Sequence, residues 1–240
     1  MIGPGITKIA PHSLQESPAT LQVDVIADLI CPWCYLGKRR LDEALAAVHG
    51  PSVVTWYPFQ LNPDMPMTGM PFEQYLETKY GNPADLIPAL EELTRAGRAE
   101  GIRFRFDRLS HVPNTLNAHR LMNLAEHKGA ETSRLAETLL RGFFEHGLDI
   151  SDRDVLTELG NEIGLGNAEI GATLENEQSK SVVLSQEAQV RQSGVTGVPD
   201  FLVNKRLFVV GAQSTENLVK VFDRAMFGEE SDLPVSPTVH

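Results

Sequence analysis

The chain has 240 residues, 42% of them hydrophobic and 22% charged, a globular balance that excludes fibrous and disordered classes and permits a sizeable core. Thirty-two acidic against 21 basic residues leave a formal charge of -11, which repels nucleic acid and anionic membrane surfaces. No run approaches the ~20 apolar residues of a membrane span.

Residues 1–19 carry Pro4, Pro11 and Pro18 with Gly3 and Gly5 and no hydrophobic period, which predicts a flexible arm. The arm lacks a continuous apolar h-region, so a cytoplasmic protein is expected. Leu21 to Ile30 reads as a strand, with Leu21, Val23 and Val25 alternating against Gln22 and Asp24. Pro32 suits the first position of a helix, whose stripe is Leu41, Leu45 and Val48 and whose end is Gly50-Pro51. Val53 to Leu61 is a second strand, bounded by Asn62-Pro63.

Pro63 to Met70 is a loop in which Met65, Met67 and Met70 form either an adaptable apolar surface or a packed connection. A helical period then covers 72–80, 84–100, 115–128, 132–146, 152–163 and 167–175, with Asn114, Ser151 and Asn167 as N-caps. A strand-like run, Ile102 to Phe106, interrupts it. Gln178 to Gln192 is helical. Short strands follow at Phe201 to Val203 and Leu207 to Val210, joined by an Asn204-Lys205 turn, and Ser214 caps a last helix. The predicted division is a discontinuous unit, 20–62 and 184–227, an α-helical insertion at 63–183, and a polar tail at 228–240.

The only two cysteines lie in Cys31-Pro32-Trp33-Cys34, where the first strand becomes the first helix. In a reducing cytosol such a pair points to redox chemistry rather than to a structural bridge. A helix N-terminus carries unsatisfied N–H groups and partial positive charge, which favour a thiolate at Cys31. Cys34 sits one turn deeper on the same face, within reach of a mixed disulfide at Cys31. Cys31 is therefore the expected nucleophile and Cys34 the resolving thiol. Pro32 fixes the start of the helix, and Trp33 presents an apolar surface to substrate. Zinc needs about four ligands, and a second cysteine pair is missing. His111, His119 and His127 recur off a single helical face, so no metal is expected.

Three motifs carry a family resemblance: Asp28-Leu29-Ile30-Cys31-Pro32-Trp33-Cys34-Tyr35-Leu36-Gly37, then Asn114-Thr115 with Ala118-His119-Arg120-Leu121, and finally Gly194-Val195-Thr196-Gly197-Val198-Pro199. Over 21–227 the chain resembles the thioredoxin superfamily, and within it the DsbA-like proteins of the FrnE type. The resemblance implies a mixed α/β architecture, a thioredoxin fold interrupted by a large α-helical insertion domain. It also implies a cis peptide before Pro199 facing the cysteine pair, and a Val198 backbone that pairs with a bound substrate chain. Asn114 and His119 would line the cleft between domains, although capping and core roles suit them equally. The same branch includes 2-hydroxychromene-2-carboxylate isomerases and kappa-class glutathione transferases, which typically have serine where this chain has Cys31.

Asp24 and Asp28 share a strand face ahead of Cys31; either relays a proton for Cys34 or is a solvated or capping carboxylate. Asp200 places a further carboxylate near the site, where it opposes thiolate formation. Arg39 and Arg40 are either partners for a glutathione carboxylate or solvated cations. The expected activity is thiol-disulfide exchange, as an oxidoreductase or isomerase, on disulfide- or thiol-containing proteins or small thiols. No cofactor is required, with glutathione as a co-substrate in the alternative of a glutathione-dependent isomerase or transferase. A redox-sensing interaction protein is the third alternative, and the helical insertion offers a homodimer face.

Overall fold

A computed structural model of the chain describes residues 20–228; the arm expected at 1–19 and nearly all of the tail expected at 228–240 lie outside them. The described chain opens with β1 (Leu21–Ala27), α1 (Pro32–Ala47) and β2 (Ser52–Pro58). It closes with β5 (Asp200–Val203), β6 (Leu207–Val210) and α9 (Thr215–Phe227). These four strands form one sheet of order β2-β1-β5-β6, with β1 parallel to β2 and antiparallel to β5, and β5 antiparallel to β6. This is the thioredoxin sheet that the family resemblance implies.

Between the two halves lie a two-residue strand β3 (Met70–Pro71), α2 (Phe72–Tyr80), α3 (Ile87–Ala99), a two-residue strand β4 (His111–Val112), α4 (Leu116–His127), α5 (Thr132–His146), α6 (Arg153–Asn161), α7 (Asn167–Glu175) and α8 (Glu177–Gln192). Helix α8 runs unbroken across the 183/184 boundary expected between insertion and sheet domain, and carries the chain back to the sheet.

One face of the sheet packs against α1 and α9 through Val23, Val25, Phe201, Val203, Leu41, Ala44, Leu218 and Phe222. A second core, among the helices, gathers Leu121, Leu135, Leu139, Phe144, Ile102 and Phe104 around Tyr35 and Leu36 of α1. Trp33 and Trp56 pack on both cores. Helix α1 is thus wedged between sheet and helical layer, which fixes the position of its N-terminus.

The β5–β6 turn is the one that the sequence predicts: Asn204 and Lys205 have φ of 48° and 55°, the paired positive values of a two-residue hairpin turn. Side chains hold it, since Asn204 Oδ1 accepts from Gln22 N–H and Lys205 pairs with Asp24.

Several expectations are corrected. The run 102–106 is no strand: Ile102 and Phe104 alternate inward as a strand's residues would, but they fill the helical core, and Arg105 N–H bonds to the Phe144 carbonyl with no ladder. Helix 84–100 divides into a 3-10 turn, Pro83–Leu86, and α3. Asp152, not Ser151, caps α6, because its carboxylate accepts from Asp154 and Val155 N–H while Ser151 is turned to Asp149. Gly166 precedes α7 in the place expected for Asn167, its N–H given to Glu169. Thr115 takes the cap position of α4, but Asn114 Oδ1 still accepts the Leu116 N–H at 2.9 Å. The strand expected to reach Ile30 ends at Ala27, and the one expected to reach Leu61 ends at Pro58. The β3–β4 pair was not legible at two residues a strand.

Candidate active site

Cys31 is the N-cap of α1, with φ -91° and ψ 116°, and Pro32 occupies the first turn, where a missing N–H costs nothing. The Cys31 carbonyl accepts from Cys34 N–H at 3.0 Å and from Tyr35 N–H at 3.2 Å, so the two thiols share the first turn. Both are free and buried, Cys31 at 3% and Cys34 at 1% exposure. The Cys31 thiol donates to the Val198 carbonyl at 3.7 Å, across 167 residues of sequence. The Val198–Pro199 peptide is cis, as the resemblance implies.

Burial pushes the Cys34 thiol well above the ordinary thiol range, and the neighbouring Cys31 pushes it further. A hydrogen bond from the Asp28 backbone pulls the other way, while the Asp28 carboxylate again raises it. At neutral pH Cys34 is a thiol, and it must lose a proton before it attacks.

Asp28 is fully buried in the turn after β1. Its Oδ1 accepts from Leu29 N–H and its Oδ2 from Leu61 N–H, both at 2.7 Å, which ties that turn to the segment after β2. His119, from α4, brings Nε2 to 3.4 Å from Asp28 Oδ1. The contact lacks the alignment of a hydrogen bond, and the Nε2 atom is otherwise unpartnered. Asp24 is not part of this group: its carboxylate is held by Lys205.

The other expected residues divide. Trp33 is half-buried between the two cores and Pro32 half-buried beside it. Asn114 is buried, gives its Nδ2 to the Met65 carbonyl at 2.7 Å and contacts Gln60; it fastens the 60–65 segment to α4. Asp200 begins β5 and its Oδ1 accepts from Gly211 N–H at 3.2 Å; burial pushes its carboxyl up to about 6 against that bond. Arg39 and Arg40 are both half-buried and engaged within the protein. Arg39 pairs with Glu137 at 2.6 Å, and Arg40 binds Glu100 at 2.6 Å and the Ala212 carbonyl. The three methionines form no common surface: Met65 is buried, Met70 packs on the helical core and Met67 is exposed.

Sequence reasoning missed Tyr75, Lys79 and Tyr80 of α2. Lys79 Nζ donates to Tyr75 OH at 2.7 Å and to Asn62 Oδ1 at 3.2 Å, and lies over both tyrosine rings. Burial lowers the Lys79 pKa, but the Tyr75 bond and the electrostatic influence of Tyr75, Tyr80 and Cys31 raise it overall. The Tyr75/Lys79 spacing of one turn was the available signal. It did not reveal that Lys79 interacts electrostatically with Cys31.

Among the described residues no three His, Cys, Asp or Glu cluster as a metal site, and no helix is long and apolar enough to cross a membrane.

Residues 22–223 match the family model described as a DsbA-like thioredoxin domain. YwbO of Bacillus subtilis is 27% identical over 219 residues, 88% of this chain and 98% of its own. Among solved structures, a probable DsbA oxidoreductase, SCO1869 of Streptomyces coelicolor, is 30% identical with a TM-score of 0.79, covering 91% of this chain and 94% of its own. The cytosolic disulfide reductase DsbM of Pseudomonas aeruginosa, solved with GSH, shares the fold at 22% identity and a TM-score of 0.59, covering 85% of this chain and 95% of its own. With the match spanning sheet, helical layer and cysteine turn alike, the chain belongs to the DsbA-like thioredoxin family.

Proposed function

We propose that the protein is a thiol-disulfide oxidoreductase. The observation that carries this reading is the Cys31 sulfur at the head of α1, 3.7 Å from the Val198 carbonyl, with Cys34 buried one turn behind it. Cys31 attacks a substrate disulfide; one substrate sulfur leaves as a thiolate and a mixed disulfide forms at Cys31. Cys34 then loses its proton and attacks Cys31, the Cys31–Cys34 disulfide forms, and the second substrate sulfur leaves. The protein is oxidised by two electrons and the substrate disulfide reduced; the reverse sequence oxidises a dithiol. Pro32, Trp33, Val198 and Pro199 shape the surface that meets substrate, and the Val198 backbone pairs with an extended substrate chain. The partners are disulfide- or thiol-bearing proteins or small thiols, in a cytoplasmic setting like that stated for DsbM. Reduction of a protein disulfide such as those of insulin, followed with the native protein and Cys31→Ser, tests this; activity retained in the variant would overturn it.

A second reading, favoured by the Lys79 ammonium, which interacts electrostatically with Cys31, has glutathione as co-substrate, its carboxylate meeting the ammonium. Glutathione-dependent turnover of an electrophile that survives Cys34→Ala would support a transferase or isomerase over exchange.

A further inference from the structure

His119 is 5% exposed and its Nε2 lies unpartnered 3.4 Å from a carboxylate. A buried imidazole left in that state is costly unless it gains or gives a proton. Asp28 has already committed one lone pair of each oxygen to a backbone N–H, so the carboxylate is fixed in place beside the ring, while the Asp28 backbone bonds to Cys34 and the carboxylate's charge is felt there. On the far side, His119 lines a cavity of about 10 Å³, enough for a single water. That cavity is also bordered by Trp56, Met122 and the half-exposed Tyr57, Asn123 and Gln186. Those three side chains are part-exposed, so the cavity lies close to the surface. The chain of groups therefore runs from Cys34 to Asp28, to His119, to the cavity.

We propose that His119 is a positioning residue for the resolving step, conducting the Cys34 proton from Asp28 to water in the adjoining cavity. The inference rests on the exchange reading above. When Cys34 attacks the mixed disulfide, its proton passes to Asp28, its electron pair makes the Cys31–Cys34 bond, and the Cys31–substrate bond breaks. The departing thiolate takes a proton from solvent. His119 accepts the proton held by Asp28 and releases it to the cavity water, which restores the carboxylate for the next turnover; when the protein instead oxidises a dithiol the path runs inward.

The titratable groups that face His119 are Asp28 from the β1–α1 turn and Tyr57 from β2; the cavity wall carries no charged side chain. On α8, Glu187 is spent on Gln60 N–H and Arg191. On α4 itself, Arg120 is spent on Asn117, Ser179 and the carbonyls of Thr173 and Asn176. From α7, Glu169 pairs with Lys128, and Glu175 pairs with Arg153 of α6. From α5, Glu137 is held by Lys38 and Arg39. Proton traffic at His119 is thus governed by Asp28 and not by a distant ion pair.

The test is a single-turnover reaction of the reduced protein with a chromogenic aromatic disulfide, in which the first thiolate release reports Cys31 attack and the second reports resolution by Cys34. His119→Gln should leave the first phase at its native rate and slow the second by at least ~10-fold at neutral pH, with a flattened pH profile. Asp28→Asn should slow the same phase, and His119→Gln added to it should slow it no further. His119→Asn and thermal unfolding of each variant control for folding. A native second phase and pH profile in both His119 variants would overturn this inference alone. A fall of both phases together with loss of stability would overturn it in favour of a packing role. Absence of a second release in the native protein would overturn the exchange reading and the inference with it.

Discussion

Gly37 of α1 and Pro199 touch with no room for a side chain between them: a Cβ on Gly37 would lie 2.9 Å from Pro199 Cγ and 3.3 Å from Phe201 Cζ. The cysteine helix and the loop that carries Val198 are held together at this point, one turn past Cys34. Gly37→Ala should cost about 1–3 kcal/mol of stability through overpacking, measured by urea unfolding. It should also reduce exchange activity more than its stability loss explains, because the loop shifts relative to Cys31. A Gly37→Ala protein of native activity would show that the spacing of helix and loop is not critical.

Cys34→Ser should stop the reaction halfway. The variant retains Cys31 and its Val198 contact, so it should release one equivalent of thiolate and accumulate the mixed disulfide, detectable by intact mass. Cys31→Ser should release none, because the remaining thiol is buried and its proton is held tightly. A mixed disulfide on Cys34 in that variant would reverse the assignment of the two roles.

Asp200 makes the fold sensitive to pH in a defined direction. Its carboxyl is pushed by burial from the ordinary 3.8 up to about 6, so the folded state favours the protonated form. The stability it contributes is fully present below the ordinary value and is lost as the pH rises through about 6. Asp200→Asn keeps an oxygen for the Gly211 N–H, and should match the native protein near pH ~4 while exceeding it by about 1–2 kcal/mol near pH ~8. Denaturant unfolding at both values reads the difference. Equal stability at the higher pH would show that the carboxylate is solvated.

Glu137 of α5 ties α1 to the helical layer: it meets Lys38 at 2.9 Å and Arg39 at 2.6 Å, and accepts from Tyr35 OH at 3.0 Å. Lys38 is 6% exposed, and its other partner, Asp42, lies on its own helix. Glu137→Gln should therefore cost about 3 kcal/mol by leaving a buried ammonium under-compensated. Glu137→Gln combined with Lys38→Met should recover part of that loss. A change within ~0.5 kcal/mol for the single variant would place the group with surface pairs.

The strands of the sheet and the cysteine turn were legible because each rests on local rules: alternating β-branched residues in β1, proline after Cys31, two positive-φ residues at Asn204-Lys205; the order in which those strands pair came only with the family resemblance. Long helices such as α5 were legible from their apolar stripe. The failures occurred where alternation had no ladder to join, at 102–106, and where two residues sufficed for a strand, as in β3 and β4. In the site, spacing identified Cys31 and Cys34 and the motif pointed to Pro199. The role of Asp28 stayed open because its partners, Leu61 N–H and His119, arrive from distant segments. The engagement of Arg39 with Glu137 was invisible for the same reason: no local pattern encodes a pair that two layers bring together.

The reach from Cys31 to Val198 across 167 residues also orders events during synthesis. β1, α1 and β2 emerge first and can pair in parallel, but the strand that completes the cover of Cys34 is made only after the whole helical layer. A ribosome-bound chain that stops before Asp200 carries Cys34 without β5 beside it, open to reagents that the finished fold excludes from that thiol. Arrested chains of that length should react with maleimide at Cys34, and chains extended through β6 should not. The nascent protein is thus at its most vulnerable in the residues that later make it useful, and only about the last sixth of translation closes that interval.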